Sequence, residues 1–230
     1  MRVAIMQPTY LPWLGYFGLM HSVDLFILLD SVQFARRSWQ QRNQIKTANG
    51  AQWLTVPVLS KGKRDQLICD VEFDRGSAFP LSHQKVIEMN YRKSAHFDVY
   101  APKLFEILNT ESCNLAELTI DSILWIRNVL GITTPVRRAS EFTNTGTKAE
   151  LLVSLCEQVG ATEYVSPPGS KDYLDESDAF TKRGLPQSYF QYEHPEYPQR
   201  YGSFLPYMSV IDLLFNCGSD SLSLIEKGYR

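Results

Sequence analysis

The sequence predicts an α/β fold on a parallel β-sheet, with a block of helices inserted part-way along the chain. Three observations lead there. Two short apolar runs near the start, "RVAIM" and "DLFILLD", leave room for only one compact helix between them. The stretch from Phe79 to Gly131 carries three successive helical patterns. After Pro135 an amphipathic helix is again followed by a short β-type run. Strand, helix, strand without polar alternation in the strands is the pattern of a βαβ unit, buried on both faces and crossing over right-handed.

"RVAIM" reads as the first buried strand. Trp13 to Ser22 reads as the helix, with Leu14, Phe17, Gly18 and His21 on one face. "DLFILLD" is the second strand. In "NQIKTANGAQWLTVPV", Asn49-Gly50 between two β-type runs predicts a hairpin, because both residues tolerate positive φ. "LSHQKVIEMNYRKSA", "VYAPKLFEILN" and "LAELTIDSILWIRNVLG" are the three helices of the insertion. "TKAELLVSLCEQVG" is a helix ended by Gly160, "TEYVS" a strand, "SYFQYE" a last strand and "FLPYMSVIDLLFNCG" a last helix ended by Gly218. The expected division is a first α/β half with its hairpin at 1–78, the helical insertion at 79–131, and a second half of the same domain at 132–230.

With 230 residues, 44% hydrophobic and 21% charged, the chain has the composition of a globular protein that buries a full core. Its net charge of −2 provides no general field for nucleic acid. No apolar run is long enough to span a bilayer, and the N-terminal apolar run is too short for a signal peptide. Cys69, Cys113, Cys156 and Cys217 are scattered and read as free thiols in a reducing compartment. The expectation is a cytoplasmic protein. The histidines show no metal-ligand spacing, so no protein metal site is expected.

Ligands of open parallel sheets sit outside the carboxyl ends of the strands. Three such ends carry polar or Gly/Pro-rich loops: one at Gln7-Pro8-Thr9-Tyr10, one at Asp30-Ser31-Val32-Gln33 and one at Ser166-Pro167-Pro168-Gly169-Ser170. On one sheet they would gather along one edge. Pro8 and Pro12 stiffen the first loop. The helix start near Trp13 offers free N–H groups to an anion, and Gly15 removes a side chain there. Tyr10, Trp13 and Tyr16 either stack on a base or sugar or cover the sheet edge, with Gly15 then a packing glycine. Asp30 either holds a hydroxyl, a cation or an amine, or caps its own turn. "SVQFARRSWQQRNQIK" has Arg36, Arg37, Arg42 and Lys46 and no acid, with Gln33, Gln40, Gln41 and Asn43 as neutral donors, which points to an anionic ligand. The Ser166 loop, through Gly169, Ser170 and Tyr173, can present N–H groups to the same anion. His194 is the general-base candidate of the Pro/Tyr-rich loop that also holds Gln199. Ser209 and Asp212 read as local helix chemistry, and His83 and His96 as residues facing solvent or a partner helix.

"MQPTYLPWLGYFGLMHSVDLFILLDSVQFARRSWQQRNQIK", "LTVPV", "GATEYVSPPGSKDYLD" and "YGSFLPYMSVIDLLFNCG" resemble the WbqC-like proteins over nearly the whole chain. That resemblance implies a setting in bacterial O-antigen and other surface-polysaccharide gene clusters. More remotely, the strand, the Pro-x-x-x-Pro-Trp-Leu-Gly-Tyr-Phe turn and the helix are similar to the opening of the HIGH-motif nucleotidylyltransferases. There Trp13-Leu14-Gly15-Tyr16 takes the register of the motif, with the glycine matched and both histidines absent. The expected fold is therefore a Rossmann-like parallel sheet. The expected function is a transferase that moves an acyl or aminoacyl group onto a nucleotide-linked amino sugar, with Asp30 orienting the acceptor and His194 taking the proton. The alternatives are a non-catalytic nucleotide-sugar binder or assembly protein, and a nucleotidylyltransferase lacking the histidines. The expected partner is a nucleotide sugar or another phosphorylated small molecule; Mg²⁺ could arrive with a nucleotide, and a homo-oligomer is compatible.

Overall fold

The structure is a computed structural model describing residues 1–170, 174 and 176–230. In chain order the first elements are β1 (Arg2–Met6), α1 (Leu14–His21) and β2 (Leu25–Leu28), then the hairpin β3 (Arg42–Thr47) and β4 (Gly50–Thr55). Helices α2 (Leu81–Tyr91), α3 (Phe97–Leu108) and α4 (Leu115–Val129) follow, leading to β5 (Val136–Arg138). Then come α5 (Ala149–Gln158), β6 (Glu163–Ser166), the single turn α6 (Ala179–Lys182), β7 (Gln187–Tyr189), α7 (Val210–Cys217) and α8 (Ser221–Glu226).

Five strands form one parallel sheet in the order β5-β2-β1-β6-β7. Numbered by appearance within the sheet this is 3-2-1-4-5, a Rossmann-like order whose direction reverses between β1 and β6. The two α/β halves therefore share one sheet, and the loops after β1, β2 and β6 leave it along the same edge.

Both faces are covered, which explains the unbroken apolar strands. Val3, Ile5, Leu25 and Ile27 pack with Leu151, Leu152, Leu155 and Cys156 of α5. Ala4, Phe26 and Leu28 point the other way, into the larger cluster with Leu14 and Phe17 of α1, Leu104 of α3, Ile123 of α4 and Leu213 of α7. Period-two alternation along β1 and β2 thus feeds two separate cores.

α1 lies one residue inside each expected end, with Trp13 as its N-cap and Ser22 as its C-cap. Gly160 and Gly218 end α5 and α7 with φ of +69° and +57°. The hairpin forms where expected, but its turn differs in detail. Thr47 pairs with Gly50, so Ala48 and Asn49 make the tip, and Gly50 alone takes positive φ, at +96°. α6, α8 and β5, which pairs with β2, were not anticipated as elements. No helix among the described residues is long and apolar enough to cross a membrane.

Candidate functional site

The Gln7 loop leaves the middle of the sheet and is held from several sides. Tyr10 N–H donates to the Trp39 carbonyl at 2.9 Å, and Val210 N–H donates to the Pro12 carbonyl at 2.8 Å. Leu11, fully buried, has φ of +45°, a conformation that strains a branched side chain. The Asn43 amide donates to its carbonyl at 2.6 Å and so secures the strained turn. The prolines, the aromatic rings and Asn43 make a rigid ridge between two hollows.

The larger hollow, about 700 Å³, lies along the carboxyl edge of β1 and β2 and under the start of α5. Gln7, Ser31, Gln33, Asn144, Thr147 and Lys148 supply its polar groups, and Leu29, Val32 and Leu151 its apolar floor. Such a volume suits a small-molecule ligand. The Ser31 hydroxyl donates to Asn144 Oδ1 at 3.0 Å, joining the β2 loop to the loop before α5. Gln7 Oε1 accepts from Gln40 Nε2 at 2.8 Å, and Gln33 Nε2 donates to the Arg64 carbonyl at 3.1 Å. Lys148, the N-cap of α5, has φ of +51° and ψ of −123°, again strained for a residue with a side chain. It has no carboxylate partner among the described residues. Lys148 also lines a neighbouring depression that carries Glu150, Glu176 and Asp178.

The smaller hollow, about 260 Å³, is lined by Met6, Thr9, Pro12, Trp13, Tyr16, Trp39, Asn43 and Tyr207. The Trp13 indole packs edge-on to Tyr192 at 5.5 Å, tilted to Tyr207 at 5.6 Å and stacked on His194 at 6.1 Å. His194 Nδ1 lies 2.9 Å from the Pro195 carbonyl, so that nitrogen carries the hydrogen and Nε2 is left as the acceptor. Nε2 is buried and has no partner among the described residues. Burial pushes the imidazole pKa down, with the Pro195 carbonyl opposing, so the ring is neutral near neutral pH.

The remaining candidates are placed as follows. Asp30 is fully buried, and both its oxygens are occupied. Oδ1 accepts from Ser140 N–H at 2.9 Å; Oδ2 accepts from Arg138 Nε and the Ser140 hydroxyl, each at 2.8 Å. It ties the end of β2 to the end of β5 and is not open to an acceptor, which corrects its expected catalytic role. Tyr10 is also fully buried, its hydroxyl 2.9 Å from His83 Nδ1, so it cannot stack on a ligand. His83 is itself buried, which corrects its expected solvent or helix setting. Gly15 is a packing glycine: a Cβ there would stand 2.5 Å from Trp13 Cζ2 and Cζ3 and closer to Cη2. The indole therefore covers the helix start that was expected to hold phosphate in the HIGH register. Tyr16 is buried, with its hydroxyl 3.3 Å from the Gln7 carbonyl.

The basic loop does not converge on the cleft. Arg36 and Arg37 are exposed and outside both hollows. The Arg42 guanidinium lies 4.2 Å above the Trp53 ring. Lys46 is buried, its ammonium donating to Gln199 Oε1 at 3.1 Å and to the Ser203 carbonyl. Gln199 also binds Leu205 through both ends of its amide, so it is structural. Ser166 is buried at the end of β6 with its hydroxyl on the Pro167 carbonyl, and Gly169 and Ser170 form a 3₁₀ turn beyond it. Pro8 is buried under the ridge. Tyr173 lies outside the described residues. Asp212 proves to be more than local helix chemistry, since its buried carboxylate accepts from the Tyr91 and Tyr197 hydroxyls at 2.7 and 2.8 Å.

Asn144, Thr147 and Lys148 were missed. The signal was present in "NTGTKAELL", a polar glycine loop opening an amphipathic helix after a strand. It was passed over because β5, only three residues long, was not recognised as the strand before it.

Comparison with known proteins gives the chain its place. It is 39% identical over 222 residues to the Mycobacterium tuberculosis protein named Uncharacterized protein Rv1507c, covering 96% of this chain and 95% of that one. No solved structure matches. The profile of the WbqC-like protein family matches residues 7–224, and the chain belongs to that family.

Proposed function

We propose that this protein binds a nucleotide-linked amino sugar at the carboxyl edge of its sheet and transfers an acyl or aminoacyl group to the sugar, in the cytoplasmic steps of bacterial surface-polysaccharide synthesis. The observation that carries the reading is Lys148, held at a strained backbone angle on the rim of a 700 Å³ cleft without a carboxylate partner among the described residues. A strained residue persists where its surroundings hold it, and such residues cluster at ligand sites. Lys148, the Thr147 hydroxyl and the first N–H groups of α5 would hold the diphosphate. Ser31, Asn144 and Gln7 would meet hydroxyls or amides of the ligand. The aromatic hollow around Trp13 and Tyr207 would take a ring, since sugar faces and bases both stack on such surfaces. His194, neutral and with Nε2 unpartnered, would take the proton from the acceptor amine or hydroxyl once Tyr207, 57% exposed, swings aside. The acyl carbon then forms its bond to the acceptor, and the donor's leaving group departs with the electron pair of the broken bond.

One observation favours a second reading, a binder without catalysis: the acid at the end of β2, Asp30, is fully engaged in a structural ion pair. Thermal shift against UDP-, GDP- and dTDP-linked amino sugars separates the outcomes. A ligand at one hundred times its Kd stabilises by about 2.7 kcal/mol, and Lys148→Met should abolish the shift with the circular dichroism unchanged. No shift with any nucleotide sugar, or an equal shift in the variant, overturns the site. Incubation with ATP, amino acids and the binding sugar, read by intact-mass analysis of the sugar, then distinguishes transfer from binding.

A further inference from the structure

A depression remote in sequence from the strand-end loops has its own chemistry. It holds about 570 Å³ and is lined by Lys85, Glu88, Met89, Arg92, Lys93, Arg200 and Tyr201. The chain as a whole is slightly acidic, at −2, yet this lining carries four cations and one acid. None of the four cations has a carboxylate partner among the described residues, even though Glu88 stands four positions before Arg92 on the same helix. Elsewhere on the surface such pairs do form, as at Arg137–Glu141 and Lys182–Asp178.

The side formed by the 200–202 turn is built rather than loose. Tyr201 takes φ of +60°, and Gly202 follows at +62°. The Tyr201 hydroxyl donates to the Asn90 carbonyl at 3.0 Å, near the end of α2. The Arg200 guanidinium lies 4.9 Å from the Tyr201 ring, and its Nε is buried with no acceptor among the described residues. Its terminal guanidinium nitrogens make no hydrogen bond or ion pair among the described residues and are the donors an incoming anion would meet. Arg92 and Lys93 could be explained by the negative end of α2 alone. Lys85, on the middle turns of the helix, and Arg200, from a separate loop, are not covered by that explanation. Met89, 68% exposed, and Tyr201 add an apolar wall beside the charges.

We infer that the Lys85–Arg92–Lys93–Arg200 depression is a second ligand site, one that takes a phosphate or phosphodiester group attached to an apolar portion. Arginine recognises such oxygens with two donors at once, and four unpaired cations match a diphosphate better than a single carboxylate. The same group occurs on soluble nucleotides and on lipid headgroups, and the test separates the two.

Isothermal titration with inorganic pyrophosphate is run on the wild type, on Arg92→Gln/Lys93→Gln, on Arg200→Gln and on Lys148→Met. The expected result is salt-sensitive binding that weakens by about tenfold or more in the first two variants and persists in Lys148→Met. In parallel, flotation with phosphatidylglycerol vesicles is compared with phosphatidylcholine vesicles. Flotation on the anionic vesicles alone, lost in Arg92→Gln/Lys93→Gln, assigns the phosphate to a lipid headgroup. Neither pyrophosphate binding nor flotation, or binding that survives Arg92→Gln/Lys93→Gln in the Lys148→Met background, where the strand-end cleft no longer competes, overturns the site. The double variant alters only exposed side chains, so it keeps the test decisive if Arg200→Gln unfolds.

Discussion

Gly15→Ala tests whether the opening loop is organised by packing or by a ligand. The new Cβ would enter the space of the Trp13 indole, 2.5 Å from Cζ2 and Cζ3, so the ring must leave. It then loses its contacts with Tyr192, Tyr207 and His194, at 5.5, 5.6 and 6.1 Å. Aromatic pairs contribute about 0.5–1.5 kcal/mol each, and forcing an extra carbon into a packed site costs about 1–3 kcal/mol. Against this, alanine gains about 0.5–1 kcal/mol over glycine within a helix. With the ring expelled the crowding is relieved, so the net expectation is a loss of about 0.5–4 kcal/mol, or about 1–16 °C in Tm for a chain of this size. Urea unfolding followed by far-UV circular dichroism measures it. The informative step is the double-mutant cycle: in a Trp13→Ala background the obstruction is gone, and Gly15→Ala should become stabilising by about 0.5–1 kcal/mol. The same change in stability in both backgrounds, or a stabilised single variant, refutes the packing explanation of Gly15.

Asp30→Ala strips Arg138 of its buried partner, leaving it Glu117 at 2.6 Å. Because Arg138 is partly exposed, the expected loss in urea unfolding is about 2–3 kcal/mol, below that of a fully buried pair; less than about 0.5 kcal/mol would contradict the structural role. His83 is held near pKa 4, down from 6.5, mainly by burial, with its hydrogen bond to the Thr55 carbonyl opposing. The unfolded chain thus binds the proton more readily, so stability rises from pH 4 to 6.5, by up to about 3 kcal/mol from this group. His83→Gln should flatten that slope in Tm-against-pH scans, and an unchanged slope would refute the assignment. Tyr197→Phe leaves Asp212 Oδ2 without its 2.8 Å donor and should cost about 1–3 kcal/mol in urea unfolding, with a neutral result contradicting the network. Burial pushes the Cys156 thiol up to about 12, so it should react with an aromatic disulfide reagent only after unfolding; rapid labelling in the native state would show the thiol is not sequestered.

The sheet was legible because its strands are short apolar runs and its helices have the right period. The shift from "RVAIM" to Trp13-Leu14 locates α1 to within one residue at each end. The edge on which the three loops gather followed from parallel connectivity alone. Side-chain fates at that edge did not follow. Asp30 and Lys46 look like ligand groups in sequence, yet each is buried against a partner far along the chain, Arg138 and Gln199. Local pattern carries no information about such distant pairings. Lys148 was overlooked for the related reason that a three-residue strand, β5, has too little periodicity to announce the loop after it.

The strand at the centre of the sheet has consequences for how the molecule assembles. β1 binds β2 soon after both are made, but its other side waits for β6; Thr162, which donates to the Met1 carbonyl at 2.8 Å, lies 161 residues further on. Until the ribosome has delivered that segment, one flank of the innermost strand stays open as a bare hydrogen-bonding edge, the kind of edge to which other chains adhere. Such long-range closure slows folding. Nascent chains stalled before β6 should therefore aggregate or hold chaperones, and release should come only once the late strand has emerged.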